Sequence, residues 1–201
     1  MLEVKDATIS VGGRCLVKGL SLIARDGQMT CITGSAGSGK TTFLRTLMGF
    51  LPVESGFVSV DGELLTVASA PAFRNLMVYL PQEIRQLGHQ LRAPEMPVSE
   101  ADEYGVWNHA ILPSAVAAEA PEPLSPEAIC ELAGKTLREA SDRPIVIADE
   151  PAADLTPELT EQLLDLLSAQ AKAGKTVLLA SRKPQLLARA DLIFNLDTIR
   201  Q

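Results

Sequence analysis

The sequence predicts an α/β fold: a mostly parallel core sheet flanked by helices, with an antiparallel β subdomain in front of it. Three observations carry the prediction. A glycine-rich segment, Gly34-Ser35-Ala36-Gly37-Ser38-Gly39-Lys40-Thr41, stands between an apolar strand-like run and a helix-like run. A second apolar run, Ile145-Val146-Ile147-Ala148, ends on two adjacent carboxylates, Asp149 and Glu150. From there to the C-terminus, strand-like and helix-like stretches alternate, which is how a parallel sheet with helical crossovers is written.

In chain order, Leu2 to Val11 alternates apolar and polar residues and reads as a strand. Gly12-Gly13 makes a turn, and Leu20 to Ala24 is a second strand ending at Asp26-Gly27. Met29 to Thr33 is the strand before the glycine-rich segment, and Thr42 to Phe50 the helix after it. Phe57 to Val60 enters a hairpin turned at Asp61-Gly62. Met77 to Leu80 is a short strand ending on Pro81-Gln82, and a helix is expected from about Glu127 to Ala140. The run at Ile145 reads as a strand buried on both faces. Pro157 to Ala171 is an amphipathic helix with Thr156 as its N-cap and a proline at the first helical position. It ends near Ala173-Gly174. A strand at Thr176 to Ser181, a short helix at Leu186 to Ala190 and a closing strand at Leu192 to Leu196 follow. Gln201 ends the sequence, with no regulatory extension expected.

Composition narrows the function classes. The 201 residues are enough for a proper core. A net charge of −7 argues against a nucleic-acid partner, because neutralising phosphates needs clustered Lys and Arg. Cys15, Cys31 and Cys130 have no metal-ligand spacing and read as free thiols in a reducing compartment. The charged start Met1-Leu2-Glu3-Val4-Lys5-Asp6 is no signal peptide, and no apolar run approaches the ~20 residues of a membrane span. Any work at a membrane is therefore expected to be done by docking on another protein.

The glycine-rich segment fits G-x-x-x-x-G-K-[ST]. Glycines let the backbone curl so that successive N–H groups point at a polyphosphate. Lys40 reaches its terminal oxygens, and Thr41 offers a hydroxyl to Mg²⁺. The helix N-terminus beyond, from Thr42, favours the same anion. Gly34 to Thr42 is thus a nucleotide-phosphate site. Asp149 and Glu150 leave the end of a buried parallel strand, where α/β sheets bind ligands, and neighbouring strand residues point opposite ways. Asp149 is expected to hold Mg²⁺, and Glu150 to take a proton from an attacking water.

The order of these features resembles the nucleotide-binding domain of an ABC transporter over nearly the whole chain. The resemblance rests on the Gly12-Gly13 turn, the P-loop, the Glu54-Ser55-Gly56…Asp61-Gly62 hairpin, and Val78-Tyr79-Leu80-Pro81-Gln82. It implies a P-loop NTPase fold of ABC type, one ATP-binding domain over 1–201, and a helical and signature subdomain at about 83–140. It makes Gln82 a Q-loop contact to Mg²⁺ and the attacking water. It implies ATP and Mg²⁺ as cofactors and ATP hydrolysis as the ancestral activity. The partners it implies are an integral membrane transporter subunit and a second ATP-binding subunit. The location it implies is cytoplasmic, peripheral to the inner face of the cell membrane. Residues 87–123 are short and broken by Pro94, Pro97, Pro113 and Pro121, so a reduced helical subdomain is expected, with His89, Trp107 and His109 as packing or surface residues.

The departures from the family pattern form a set. Where the signature Leu-Ser-Gly-Gly-Gln belongs, this chain has Leu124-Ser125-Pro126-Glu127-Ala128. Ser125 can bond a phosphate or simply cap a helix. Pro126 has no N–H to give, and Glu127 adds a negative charge. Two unit charges 4 Å apart at an effective dielectric of 20 repel by about 4 kcal/mol. Thr156 stands at the D-loop Asp position, Arg182 at the switch His, and Val11 at the base-stacking aromatic. Arg182 can bond a γ-phosphate but cannot shuttle a proton near neutral pH. Residues serving the chain's own nucleotide are kept, while those offered across a dimer are degraded. The expectation is an ATP-binding transporter subunit that pairs best with an unlike partner, its own hydrolysis reduced or dependent on that partner. A soluble member of the family using ATP to regulate assembly is the second reading, and a small-molecule P-loop kinase a remote third.

Overall fold

The computed structural model describes residues 1–82 and 124–199. Two sheets face each other. In the first, β1 (Leu2–Val11) pairs antiparallel with β2 (Arg14–Ala24) and with β4 (Ser55–Val60), and β4 with β5 (Glu63–Leu64), in the order β2-β1-β4-β5. The second is wholly parallel, in the order β6 (Met77–Leu80), β7 (Ile145–Asp149), β8 (Thr176–Ala180), β3 (Met29–Thr33), β9 (Leu192–Asn195).

Alternation along the parallel strands divides the core. Ile32, Ile145, Ile147, Leu178 and Ala180 face one side, where they join Phe43, Leu44 and Leu47 of α1 (Lys40–Leu47) and the inner face of the antiparallel sheet. Cys31, Val146, Ala148, Val177 and Leu179 face the other, against α3 (Pro126–Glu139), α4 (Pro157–Lys172) and α5 (Pro184–Arg189). Every residue of β7 and β8 is buried, as a strand covered on both faces requires. Helix α1 is held between the sheets, so the loop at its N-terminus is braced by both.

Most elements lie where the sequence puts them, and the differences have local causes. Helix α1 spans Lys40–Leu47 rather than Thr42 to Phe50, closed by Gly49 N–H to Thr46 O and Phe50 N–H to Arg45 O, a Schellman pair that stops the helix. Strand β2 starts at Arg14 rather than Leu20, since pairing with β1 runs down to the Val11–Arg14 turn. The closing strand stops at Asn195, where the Asn195 side-chain oxygen accepts from the Asp197 N–H, and a 3₁₀ turn, Leu196–Ile199, follows. Helix α2 (Ala70–Asn75) has no counterpart in the sequence reading. Thr156 caps α4 as expected, its hydroxyl accepting from the Leu159 N–H at 3.3 Å. His89, Trp107, His109 and the greater part of the expected helical subdomain lie outside the described residues.

Phe43 is fully buried where α1 meets both sheets. Phe43→Ala is expected to cost about 3–5 kcal/mol of unfolding free energy, read as a shift in the urea midpoint.

Candidate nucleotide-binding site

Strand β3 runs into the loop Gly34–Gly39, and the loop into α1. Its glycines are needed at two points. A Cβ on Gly34 would come 2.7 Å from the Ser38 hydroxyl oxygen, and Gly39, capping α1 at φ 97, would place one 3.3 Å from Leu16 of β2. The loop folds on itself through Ser38 N–H to Ser35 O at 3.1 Å. Lys40, 8% exposed, turns its ammonium back and donates to Gly34 O at 3.0 Å and Ser35 O at 3.3 Å.

Parallel register brings the other groups to the same edge. Asp149 pairs with Ala180 and Ala148 with Leu80, so β6, β7 and β8 end level with one another. Beyond β7, Glu150 donates its N–H to Ala180 O at 2.9 Å and takes φ 43, a left-handed conformation that a non-glycine residue adopts only under constraint. That conformation directs its carboxylate at the loop. Glu150 Oε1 lies 3.6 Å from Lys40 Nζ and 3.5 Å from Arg182 Nε, so one oxygen faces two cations. Arg182 follows β8, where Ser181 N–H bonds Ile32 O. The next residue, Lys183, donates to Leu155 O at 3.1 Å and ties this segment to the turn after Glu150.

Asp149 is 1% exposed, and its Oδ1 has no hydrogen-bond partner among the described residues. Burial pushes its carboxyl above the usual range, with the Thr41 hydroxyl pulling it back down. The neighbouring Tyr79 phenol is pushed up to about 12, first by burial and then by the Asp149 charge. The Ser38 hydroxyl is likewise buried and unpartnered. Unsatisfied buried oxygens are costly, so two beside a glycine cradle, an inward lysine and a threonine hydroxyl fit a phosphate with a bound cation.

The remaining candidates lie further out. Gln82 is exposed two residues beyond the end of β6. Ala36, Gly37 and Thr42 complete the loop and first turn. Of the two roles open to Ser125, the cap is the one realised: its hydroxyl accepts from Ala128 N–H at 3.3 Å at the start of α3. Glu127 is held below the usual carboxylate range by its own backbone N–H and then by Ser125. Val11 stands exposed at the end of β1, before the glycine turn. One group escaped the sequence reading. Asp197, in the turn after β9, accepts from Ser35 N–H at 2.7 Å and from the Ser35 hydroxyl at 2.9 Å. No motif marks it, because its partner is 162 residues away.

Known proteins share this fold and give the family. The family model described as ABC transporter matches residues 17–153. The thiamine import ATP-binding protein ThiQ of Brucella abortus biovar 1 is 32% identical over 175 residues, covering 79% of this chain and 69% of that protein. The hemin import ATP-binding protein HmuV of Streptomyces coelicolor is 29% identical over 180 residues, covering 84% and 64%. In fold, the chain is similar to a nucleotide-free ATP-binding cassette from an ABC transporter, with a TM-score of 0.68 at 17% identity over 97% of this chain and 87% of that one. A cassette in its ADP conformation gives 0.71 at 18% identity, over 97% and 86%. No helix among the described residues is long and apolar enough to cross a membrane. The chain belongs to the ABC transporter family, as a nucleotide-binding domain of it.

Proposed function

We propose that this chain is the ATP-binding subunit of an importer, coupling ATP binding to movement of a membrane partner through closure against a second, unlike ATP-binding subunit. The import names of the relatives support the direction of transport, and their differing cargoes leave the cargo to the membrane partner. The reading takes residues 1–201 as one domain, with about 83–140 as its helical subdomain, docked at the inner face of the membrane. The observation that carries it is the convergence of buried Lys40, Asp149 with its unpartnered oxygen, and Glu150 on the mouth of one glycine loop.

On this reading the loop N–H groups from Gly34 to Thr42 cradle the phosphates. Lys40 exchanges its two carbonyl acceptors for phosphate oxygens. Thr41, Asp149 and Gln82 hold Mg²⁺, whose contribution is to offset charge on the phosphates. Glu150 takes the proton of the attacking water. Arg182 opposes that step, because its guanidinium sits on the oxygen that the water needs and cannot itself carry the proton away. Ser125, engaged as a cap beside Pro126 and Glu127, is a poor contact for a partner's γ-phosphate. A homodimer therefore has two weak sites, and a partner with an intact signature restores one.

The test is ATP turnover of the purified chain across a protein-concentration series, alone and with a subunit bearing Leu-Ser-Gly-Gly-Gln, with Lys40→Ala as control. The expected result is nucleotide binding with little turnover alone, a rise on mixing, and loss of binding in the control. Ordinary family rates from the chain alone would overturn the unlike-partner reading. Arg182→His is expected to raise phosphate release severalfold in the mixed complex without weakening ATP binding.

Asp149 gives a prediction of opposite sign for stability. Burial raises its pKa, so its ionised form disfavours folding, an effect absent below the ordinary value of 3.8 and complete above the raised one. Asp149→Asn should therefore raise the melting temperature of the nucleotide-free protein at pH 7. The gain should shrink as pH is lowered toward 4, while stabilisation by added MgATP is lost.

A further inference from the structure

The parallel pairing of β3 with β9 ends at Thr33 and Asn195. Two residues beyond each end, Ser35 of the glycine loop and Asp197 of the 3₁₀ turn meet through the Asp197 side chain. Asp197 takes the Ser35 N–H on one oxygen and the Ser35 hydroxyl on the other, at 2.7 and 2.9 Å. Ser35 in turn offers its carbonyl to the Lys40 ammonium and to the Ser38 N–H. Asp197 is itself held: its N–H donates to the Asn195 side chain, Thr198 Oγ1 donates to Asn195 O, and the adjacent Leu196 is fully buried in the core. A fixed turn thus grips the first limb of a loop whose own carbonyls hold the lysine.

We propose that Asp197 is a positioning residue of the nucleotide site: through its two hydrogen bonds to Ser35 it holds the first limb of the glycine loop in its phosphate-receiving shape before nucleotide arrives. A loop of glycines and small residues has much conformational freedom to lose, and a pre-formed cradle binds more tightly than one ordered by its ligand. The carboxylate reaches no phosphate on this account. It acts through Ser35.

The proposal rests on the reading that the loop binds nucleotide, and the experiment separates the two. Binding of a fluorescent ATP analogue with Mg²⁺ is titrated for the parent, Asp197→Ala and Asp197→Asn. Amide hydrogen exchange at Ser35 is followed in all three without nucleotide. Asparagine keeps both bonds, since its amide oxygen accepts the N–H and its amide nitrogen donates to the hydroxyl oxygen. Expected are a loss of about tenfold in affinity and faster Ser35 exchange for Asp197→Ala. Asp197→Asn should stay within about twofold of the parent on both. In ATP turnover with a competent partner subunit, Asp197→Ala should raise KM and leave kcat near the parent's. A folded Asp197→Ala with parental affinity and parental exchange overturns the proposal. So does tighter binding in both variants, which would make the carboxylate a repellent, and so does an Asp197→Asn as weak as Asp197→Ala. A parent that binds no analogue defeats the nucleotide reading instead, and Ser35 exchange still reports whether the grip exists.

Discussion

Parallel, in-register pairing of β7 with β8 and of β8 with β3 is the constraint on which the site depends. Strands that run the same way end on the same side, and their last residues can share a site only if the register is kept. A slip of one residue would turn Asp149 and Glu150 to opposite faces from those they now occupy. Register is fixed here by burial on both sides, because each strand carries apolar residues that suit two different cores. The helix between the sheets adds a second brace, since α1 cannot shift along its axis without uncovering Phe43 and Leu47.

This rigidity allows the site to keep groups that disfavour folding. Asp149 is ionisable and buried with an unpartnered oxygen, and Glu150 holds a left-handed backbone. Lys40 is nearly buried too, but its charge is met by two carbonyls and a carboxylate. The unliganded site is internally paired on one side and unsatisfied on the other. Lysine and Glu150 satisfy each other at 3.6 Å, whereas Asp149 Oδ1 and the Ser38 hydroxyl have no partner among the described residues. Arg182 adds a second cation beside the same Glu150 oxygen. Its side chain is more than half exposed, so water screens the pair and the contact is one of position more than of energy.

Legibility in the sequence tracked the range of the interactions involved. The glycine loop, the apolar run at Ile145 and the Thr156-Pro157 helix start are local signals, written within a few residues, and each stands where it reads. The six-residue helix at Ala70 lacks room for a period to show, and the start of β2 depends on pairing across the Gly12-Gly13 turn. Asp197 was invisible for a stronger reason. Its role exists only because β9 lies beside β3, and no spacing along the chain encodes that adjacency. Glu150 was legible as a carboxylate at a strand end, but not as one gripped by two cations, since that follows from its backbone conformation.

The start of α3 is composed for beginning a helix. Ser125 as N-cap, Pro126 at the first helical position and Glu127 in the first turn are each favourable choices for beginning a helix. Each also removes something that an anion from a facing subunit would need. The serine hydroxyl is spent on the Ala128 N–H, the proline has no N–H, and the glutamate answers the positive end of the helix from within the chain. A helix N-terminus satisfied by its own side chains has little left to offer a phosphate. On the proposed reading, the same physics that makes this helix well begun would make it a weak half of a shared site. Nothing of the kind has happened at the glycine loop, where α1 starts on Gly39 with no side-chain cap and no acidic residue in its first turn. Of the two helix N-termini, the one at the chain's own loop is left open to an anion and the one the resemblance assigns to a partner's nucleotide is closed. That asymmetry is what a subunit specialised for one side of an unlike pair would carry.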